Sequence, residues 1–148
     1  GHRTISADDF FTSLYGTALE EGELLTAVEV PTHDVGTYVK KASPSSGYAM
    51  VGVAVVIEFE DDVVESARIA TTGAVDHAMR LPAVEEELVG TPLDEDDVSA
   101  AAAHATDEIE TFELMDDNQA SAEYRSKLLE VYTEQAVTGI ADGNRTAL

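Results

Sequence analysis

The stretch Val51-Gly52-Val53-Ala54-Val55-Val56-Ile57-Glu58-Phe59-Glu60 decides the fold. Val51, Val53, Val55, Ile57 and Phe59 alternate with Gly52, Ala54, Val56, Glu58 and Glu60. Side chains alternate across a strand, so one face is uniformly bulky and the other grades from small to charged. The spacing predicts a strand over residues 50–60 with its bulky face in the core. Asp61-Asp62 makes a tight connection, and Val63 to Val75 returns as a hairpin partner, with Ala67, Ile69 and Thr71 on one face. Gly52, inside the strand, allows a close backbone approach or a bulge.

Working outward, residues 37–42 read as another strand, with Tyr38 and Lys40 on one side and Val39 and Lys41 on the other. Ser43-Pro44-Ser45-Ser46-Gly47 has the composition of a turn or loop. Leu24 to Val30 reads as a strand stopped by Pro31. Residues 1–20 form a lead-in segment with a short helix, capped by Ser6, favoured by Asp8 and Asp9 at its positive end, and given an apolar side by Phe10, Phe11 and Leu14.

After Gly73 the period changes. Helices are expected over residues 80–89, ending at Gly90, over 95–109, rich in alanine, and over 121–140. Leu129, Tyr132, Ala136 and Ile140 form the stripe of the last helix, widened by Tyr124, Leu128 and Val131. Asp142-Gly143-Asn144 ends it. Strands come first and helices follow. The expected class is therefore α+β, a three- to four-stranded antiparallel sheet (about 24–30, 37–42, 50–60, 63–75) covered on one face by three helices in a single domain over residues 21–148.

Composition narrows the chemistry. The chain of 148 residues is long enough to bury a core without disulfides or metals, and 44% hydrophobic content is too high for a disordered acidic tail. It has no cysteine, hence no thiolate-held cluster and no thiol nucleophile. Thirty acidic residues against eight basic give a net charge of −22, the wrong sign for nucleic acid or an anionic membrane. Thirteen acids and no Lys or Arg fall between Glu85 and Asp117. One reading is capture of a basic partner. The other is halophilic solvation, favoured because acids recur in most segments, Glu20, Glu21, Glu58, Glu60, Asp61 and Asp62 among them. No apolar run approaches a membrane span, and Gly1 to Ser6 lacks a signal-peptide core, so a cytoplasmic setting is expected.

There is no glycine-rich phosphate loop and no nucleophile elbow. His104 and Glu108 stand at i, i+4 and could face one metal, but a solvated histidine is the plainer reading and no metal site is assigned. No catalytic residue is assigned either, since thirty carboxylates make close pairs unavoidable. Lys40 and Lys41 suit either contact with a cofactor or partner, or service as gatekeepers on a strand edge. Arg125 either binds a ligand or pairs with a local acid while Tyr124 packs on the sheet.

Asp117-Asn118-Gln119-Ala120-Ser121-Ala122-Glu123-Tyr124-Arg125-Ser126-Lys127-Leu128-Leu129 completes a series that begins with Gly1-x-Arg3, Phe10-Phe11 and Thr17-Ala18-Leu19. The series continues with Gly22-Glu23-Leu24-Leu25 through Pro31, Tyr38-x-Lys40, Ala49 and the valine strand, and Glu87-Leu88-x-Gly90. In this order these segments resemble the C-terminal domain of the flavoprotein (medium) subunit of molybdenum hydroxylases, the carbon monoxide dehydrogenase and xanthine dehydrogenase family. The resemblance implies an oxidoreductase module that covers one side of FAD. Electrons would pass to the FAD from molybdenum and iron–sulfur centres on their way to an acceptor. It places Lys40 and the loop residues Ser43, Ser45, Ser46, Gly47 and Tyr48 on the cofactor side. Many members carry arginine and aspartate where this chain has Pro44-Ser45-Ser46-Gly47, so a polar contact is expected to be missing. The implied partners are the FAD-binding N-terminal domains, a molybdenum-cofactor subunit and an iron–sulfur subunit. The chain alone is expected to bind FAD weakly or not at all and to turn over nothing. The competing class is a non-catalytic acidic domain that binds a basic partner.

Overall fold

A computed structural model describes residues 1–33 and 35–143. Asn144, expected to close the last helix, lies outside the described residues. The chain runs α1 (Ala7–Phe10), β1 (Phe11–Ser13), β2 (Gly16–Thr17), β3 (Val35–Ala42), β4 (Ala49–Glu60), β5 (Val63–Thr72), β6 (Met79–Arg80), α2 (Pro82–Leu88), α3 (Glu95–Ala103) and α4 (Ala122–Ala141). Strands β3 to β6 form one antiparallel sheet in chain order, and the small β1–β2 pair stands apart from it. The mixed α+β class with a four-stranded antiparallel sheet is thus the observed one.

The valine strand does what its pattern requires. Val51, Val53, Val55 and Ile57 are fully buried, and Phe59 packs at the margin of the same core. The two-residue turn to β5 uses Asp61 and Asp62 at φ 50° and 64°. Both are left-handed, the geometry that matches the strand twist and that aspartate tolerates better than most residues. Helix α4 lies across β3 and β4, α2 lies on β5, and α3 bridges α2 and α4. Arg125, Leu128, Leu129, Thr133, Ala136, Val137 and Ile140 make the buried side of α4.

Ala7, Asp8 and Phe11 of the lead-in segment share a cavity with Ala54, Val56, Arg68 and Ala70 on the other sheet face. Tyr38 there crosses Gly52, where a Cβ would come 2.5 Å from the tyrosine hydroxyl. This is the close approach the glycine permits.

Several expectations are corrected. Leu24 to Val30 is not a strand: it has no regular secondary structure, and among the described residues its backbone pairs with nothing. A strand requires a neighbouring edge, and among the described residues none reaches it. The second strand begins at Val35, two residues early. Arg80 is the end of β6, not the start of a helix, because Pro82 fixes the first turn of α2. The alanine-rich helix stops at Ala103, after which i→i+3 bonds such as Ala105 N–H to Ala102 and Asp107 N–H to His104 continue as tighter turns. Thr106 and Asp107 are poor helix formers and His104 Nδ1 engages Asp107, so the α-register is lost there. Helix α1 is a single turn that buries nothing, with Phe11 already in β1, so the phenylalanines give it no core face. Tyr124 and Val131 lie on the exposed flank of α4, outside the stripe assigned to them.

Candidate functional site

The end of β3, the following loop and the start of β4 build one corner of the open sheet end. Lys40 is exposed and its ammonium donates to the Gly47 carbonyl at 3.0 Å. Lys41, the next residue, points to the opposite side and is half-buried. Ser43 is buried. Its N–H donates to the Tyr48 carbonyl (2.7 Å), and its carbonyl accepts from Gly47 N–H (2.9 Å). Its hydroxyl lies 3.2 Å from that of Ser45. The Ser46 hydroxyl accepts from Tyr48 N–H (3.3 Å). Gly47 sits at φ 74°, the left-handed value that closes the turn. Tyr48, 80% exposed, ends the loop with its ring in solvent. Lys40, Ser43, Ser45, Ser46, Gly47 and Tyr48 are therefore brought together in one self-bonded turn.

Beneath this corner lies an anchor. Arg125 is buried and donates from one terminal nitrogen to the carbonyls of Met50 (2.6 Å) and Gly73 (2.8 Å), and from the other to Asp117 (2.8 Å). Its Nε is buried without a partner among the described residues. Gly73, at φ 78°, passes so close that a Cβ would meet the Ala49 and Met50 carbonyls at 2.6 and 2.7 Å. Asp117 is preset for the guanidinium. Backbone N–H groups of Gln119 and Ala120 donate to its other oxygen and, with Arg125, hold its carboxyl below the usual range. The alternative in which Arg125 pairs locally is the observed one, with Tyr124 46% exposed instead of packed on the sheet. The two carbonyl contacts could not be read from sequence. An arginine on the apolar stripe of a helix, eight residues after an Asp, was the available signal.

A second polar knot closes the far edge. Buried Glu85 accepts from the Ile69 amide (2.8 Å) and from Arg80 Nε (2.9 Å), and also pairs with Arg80 Nη2. Strand β6 is too short to satisfy all of β5, so the helix carboxylate takes over as acceptor.

His104 and Glu108 do not converge. The histidine engages Asp107 at 2.7 Å, which raises its pKa, while Glu108 accepts from the Ala83 amide at 2.6 Å.

The arrangement defines a class: a four-stranded α+β module whose exposed ammonium and phenol flank one loop closed by its own hydrogen bonds. The sequence profile of the CO dehydrogenase flavoprotein C-terminal domain matches residues 37–140, and the chain belongs to that family. It is 33% identical over 147 residues to the nicotine 6-hydroxylase medium subunit of Paenarthrobacter nicotinovorans, covering 99% of this chain and 50% of that protein. It is also 33% identical over 131 residues to the carbon monoxide dehydrogenase medium chain of Hydrogenophaga pseudoflava (86% and 45% covered). Among solved structures it is similar to Cu,Mo-CO dehydrogenase in a cyanide-inactivated form, with TM-score 0.83 and 30% identity over 95% of this chain and 49% of that one. It is equally similar to quinoline 2-oxidoreductase of Pseudomonas putida 86, again with TM-score 0.83 and 30% identity. The chain spans about half the length of these relatives.

Proposed function

We propose that this chain is the C-terminal module of the flavoprotein subunit of a molybdenum hydroxylase, and that it covers one side of FAD bound mainly by a preceding half. Family membership over residues 37–140 is the observation that carries the reading. The loop geometry fits a covering role. The loop closes on itself, with its Ser43 and Gly47 amides on its own carbonyls and its Tyr48 amide on the Ser46 hydroxyl, which favours a covering surface over a pyrophosphate cradle. It does present a cation and an aromatic ring, which suit a phosphate or ribose edge and a flat ring system.

Lys40 and residues Ser43, Ser45, Ser46, Gly47 and Tyr48 are the flavin-facing set in this reading. FAD, when bound, accepts electrons originating at the molybdenum and iron–sulfur centres of partner subunits and passes them to an acceptor. The chain's own residues shield the ring from water and fix its position. The dispersed acids keep such a complex hydrated in high salt, in a cytoplasmic setting. Among the described residues, no helix is long and apolar enough to cross a membrane.

The test is to express the full reading frame from which the chain derives and to record flavin content by absorbance. The expected result is about one FAD per subunit. A full-length product without flavin, or a frame with no flavin-binding half, contradicts the proposal.

A further inference from the structure

The connection between α3 and α4 carries surface that the flavin reading does not use. Together with the turn from β5 to β6 it encloses a cleft of about 480 Å³. Val75, Met79, Leu114 and Met115 give it apolar walls, and two of these are among the chain's three methionines. Three exposed carboxylates, Asp76, Glu108 and Glu113, complete much of the lining. Among the described residues no lysine or arginine lines the cleft, and His77 is already engaged with Asp76 at 2.6 Å.

The carboxylates are held in place. One oxygen of Glu108 accepts from the Ala83 amide (2.6 Å), and one oxygen of Glu113 accepts from the Glu110 amide (2.9 Å). Asp76 accepts from the Leu14 amide at 3.2 Å. Among the described residues, the second oxygen of Glu108 and that of Glu113 have no partner. An acid fixed by a backbone donor, with an oxygen to spare, meets a cation with little further ordering.

Phe112 stands beside these acids and is 85% exposed. Its turn is fixed. The Glu113 N–H donates to the Glu110 carbonyl (2.8 Å), and the Met115 N–H donates to the Ala74 carbonyl (2.9 Å), which ties the exit of the turn to the body. A rigid exposed aromatic ring at the mouth of an apolar cleft has the character of a protein contact. Charge decides what the contact is. A carboxylate or phosphate would be repelled by three acids in a chain of net charge −22. A guanidinium is planar, stacks on an aromatic face and pairs with carboxylates, while its methylene stem packs on methionine.

We propose that this cleft receives an arginine side chain from a partner subunit, with the guanidinium against Phe112 and the carboxylates of Glu108 and Glu113, and its stem on Met79 and Met115. The proposal rests on the flavoprotein-subunit reading and extends it by naming a contact surface between subunits.

The test uses the full flavin subunit expressed with its molybdenum-cofactor and iron–sulfur subunits. The assembly is diluted in about 0.1 M potassium chloride and the associated fraction is read by mass photometry. Phe112→Ala and Glu113→Gln should each weaken association by about 10-fold or more. Glu95→Gln, which removes an exposed charge of α3 outside the cleft, should leave it unchanged. Flavin content and melting temperature should hold in all three, which separates a lost contact from a lost fold. In the unaltered protein, amides of residues 110–115 should exchange more slowly in the assembly than in the flavin subunit alone. Equal exchange in the two overturns the proposal, because the subunit's other half or a second copy then fills the cleft, or nothing does. An assembly that keeps its flavin and is indifferent to both substitutions also overturns it and leaves the flavin reading intact. A reading frame without a flavin-binding half overturns both.

Discussion

Val51–Phe59 and Leu24–Val30 follow the same rule and meet opposite fates. Both read as strands, both are rich in valine and leucine or isoleucine, and both end at charge or proline. The first lies between two strands and under α4, with four side chains fully buried. The second is largely exposed, and among the described residues its backbone is unpaired. A strand-like run of apolar residues therefore specifies surface to be buried, and says nothing about whether the partner is in the same piece of chain. Strand character is local, but strand pairing depends on the surroundings.

The sharpest way to break this contrast is to truncate a side chain in each segment. Ile57→Ala should cost about 2–5 kcal/mol, since the residue is fully buried and its cavity cannot collapse. Val28→Ala in the same chain should stay within about 0.5 kcal/mol. Urea midpoints measure both, and similar losses would mean that the arm packs on the body.

Next is the anchor below the loop. Arg125→Met should cost about 1–3 kcal/mol for each carbonyl left bare, because Met50 and Gly73 lose their donor. Full-length subunit carrying this change should also lose flavin, as the base of the Ser43–Tyr48 loop shifts. Unchanged stability with flavin retained would remove the anchor from the account.

A smaller effect separates the two lysines. Lys40→Ala in the full subunit should lower flavin content more than Lys41→Ala, since only Lys40 holds Gly47 and faces outward with the loop. Equal retention in purified variants would take Lys40 out of the site.

Salt acts on the body as a whole. Raising potassium chloride from about 0.1 M to about 2 M screens the repulsion of a −22 chain. Thermal unfolding should move up by about 4 °C, the shift given by roughly 1 kcal/mol in a chain of this size. A fixed or falling midpoint would turn the acids toward a basic partner.

The least effect belongs to the clamp of the arm. Arg3, followed by the Glu20 amide, holds the Glu23 carboxyl at about 2, down from 4.5. A depressed carboxyl stabilises the clamp above its unfolded value, and that contribution fades as pH falls from 4.5 toward 2. Carbon-detected NMR titration of Glu23 should show the low midpoint, and Arg3→Gln should return it toward 4.5. No change on substitution would mean that the arm is not clamped.

Strands β4 and β5 and the last helix were legible because their periods run for ten residues or more against one core. Strand β6, two residues long, and the β1–β2 pair leave no periodic trace. Tyr124 and Val131 looked like core because a helical stripe widens on paper; the stripe instead turns through Arg125 and Thr133, a polar pair no hydrophobic count would choose. The Arg125 contacts span 52 and 75 residues, far beyond any local signal. The loop that gathers Lys40 and Tyr48 was visible as a loop, but the hydrogen bonds that close it on itself were not.

Calorimetric titration of the 148-residue chain with FAD tests the central claim, that the body covers a flavin and another half holds it. The account predicts no saturable heat at micromolar concentrations. One-to-one binding at about 1 μM or tighter, roughly −8 kcal/mol, would contradict it.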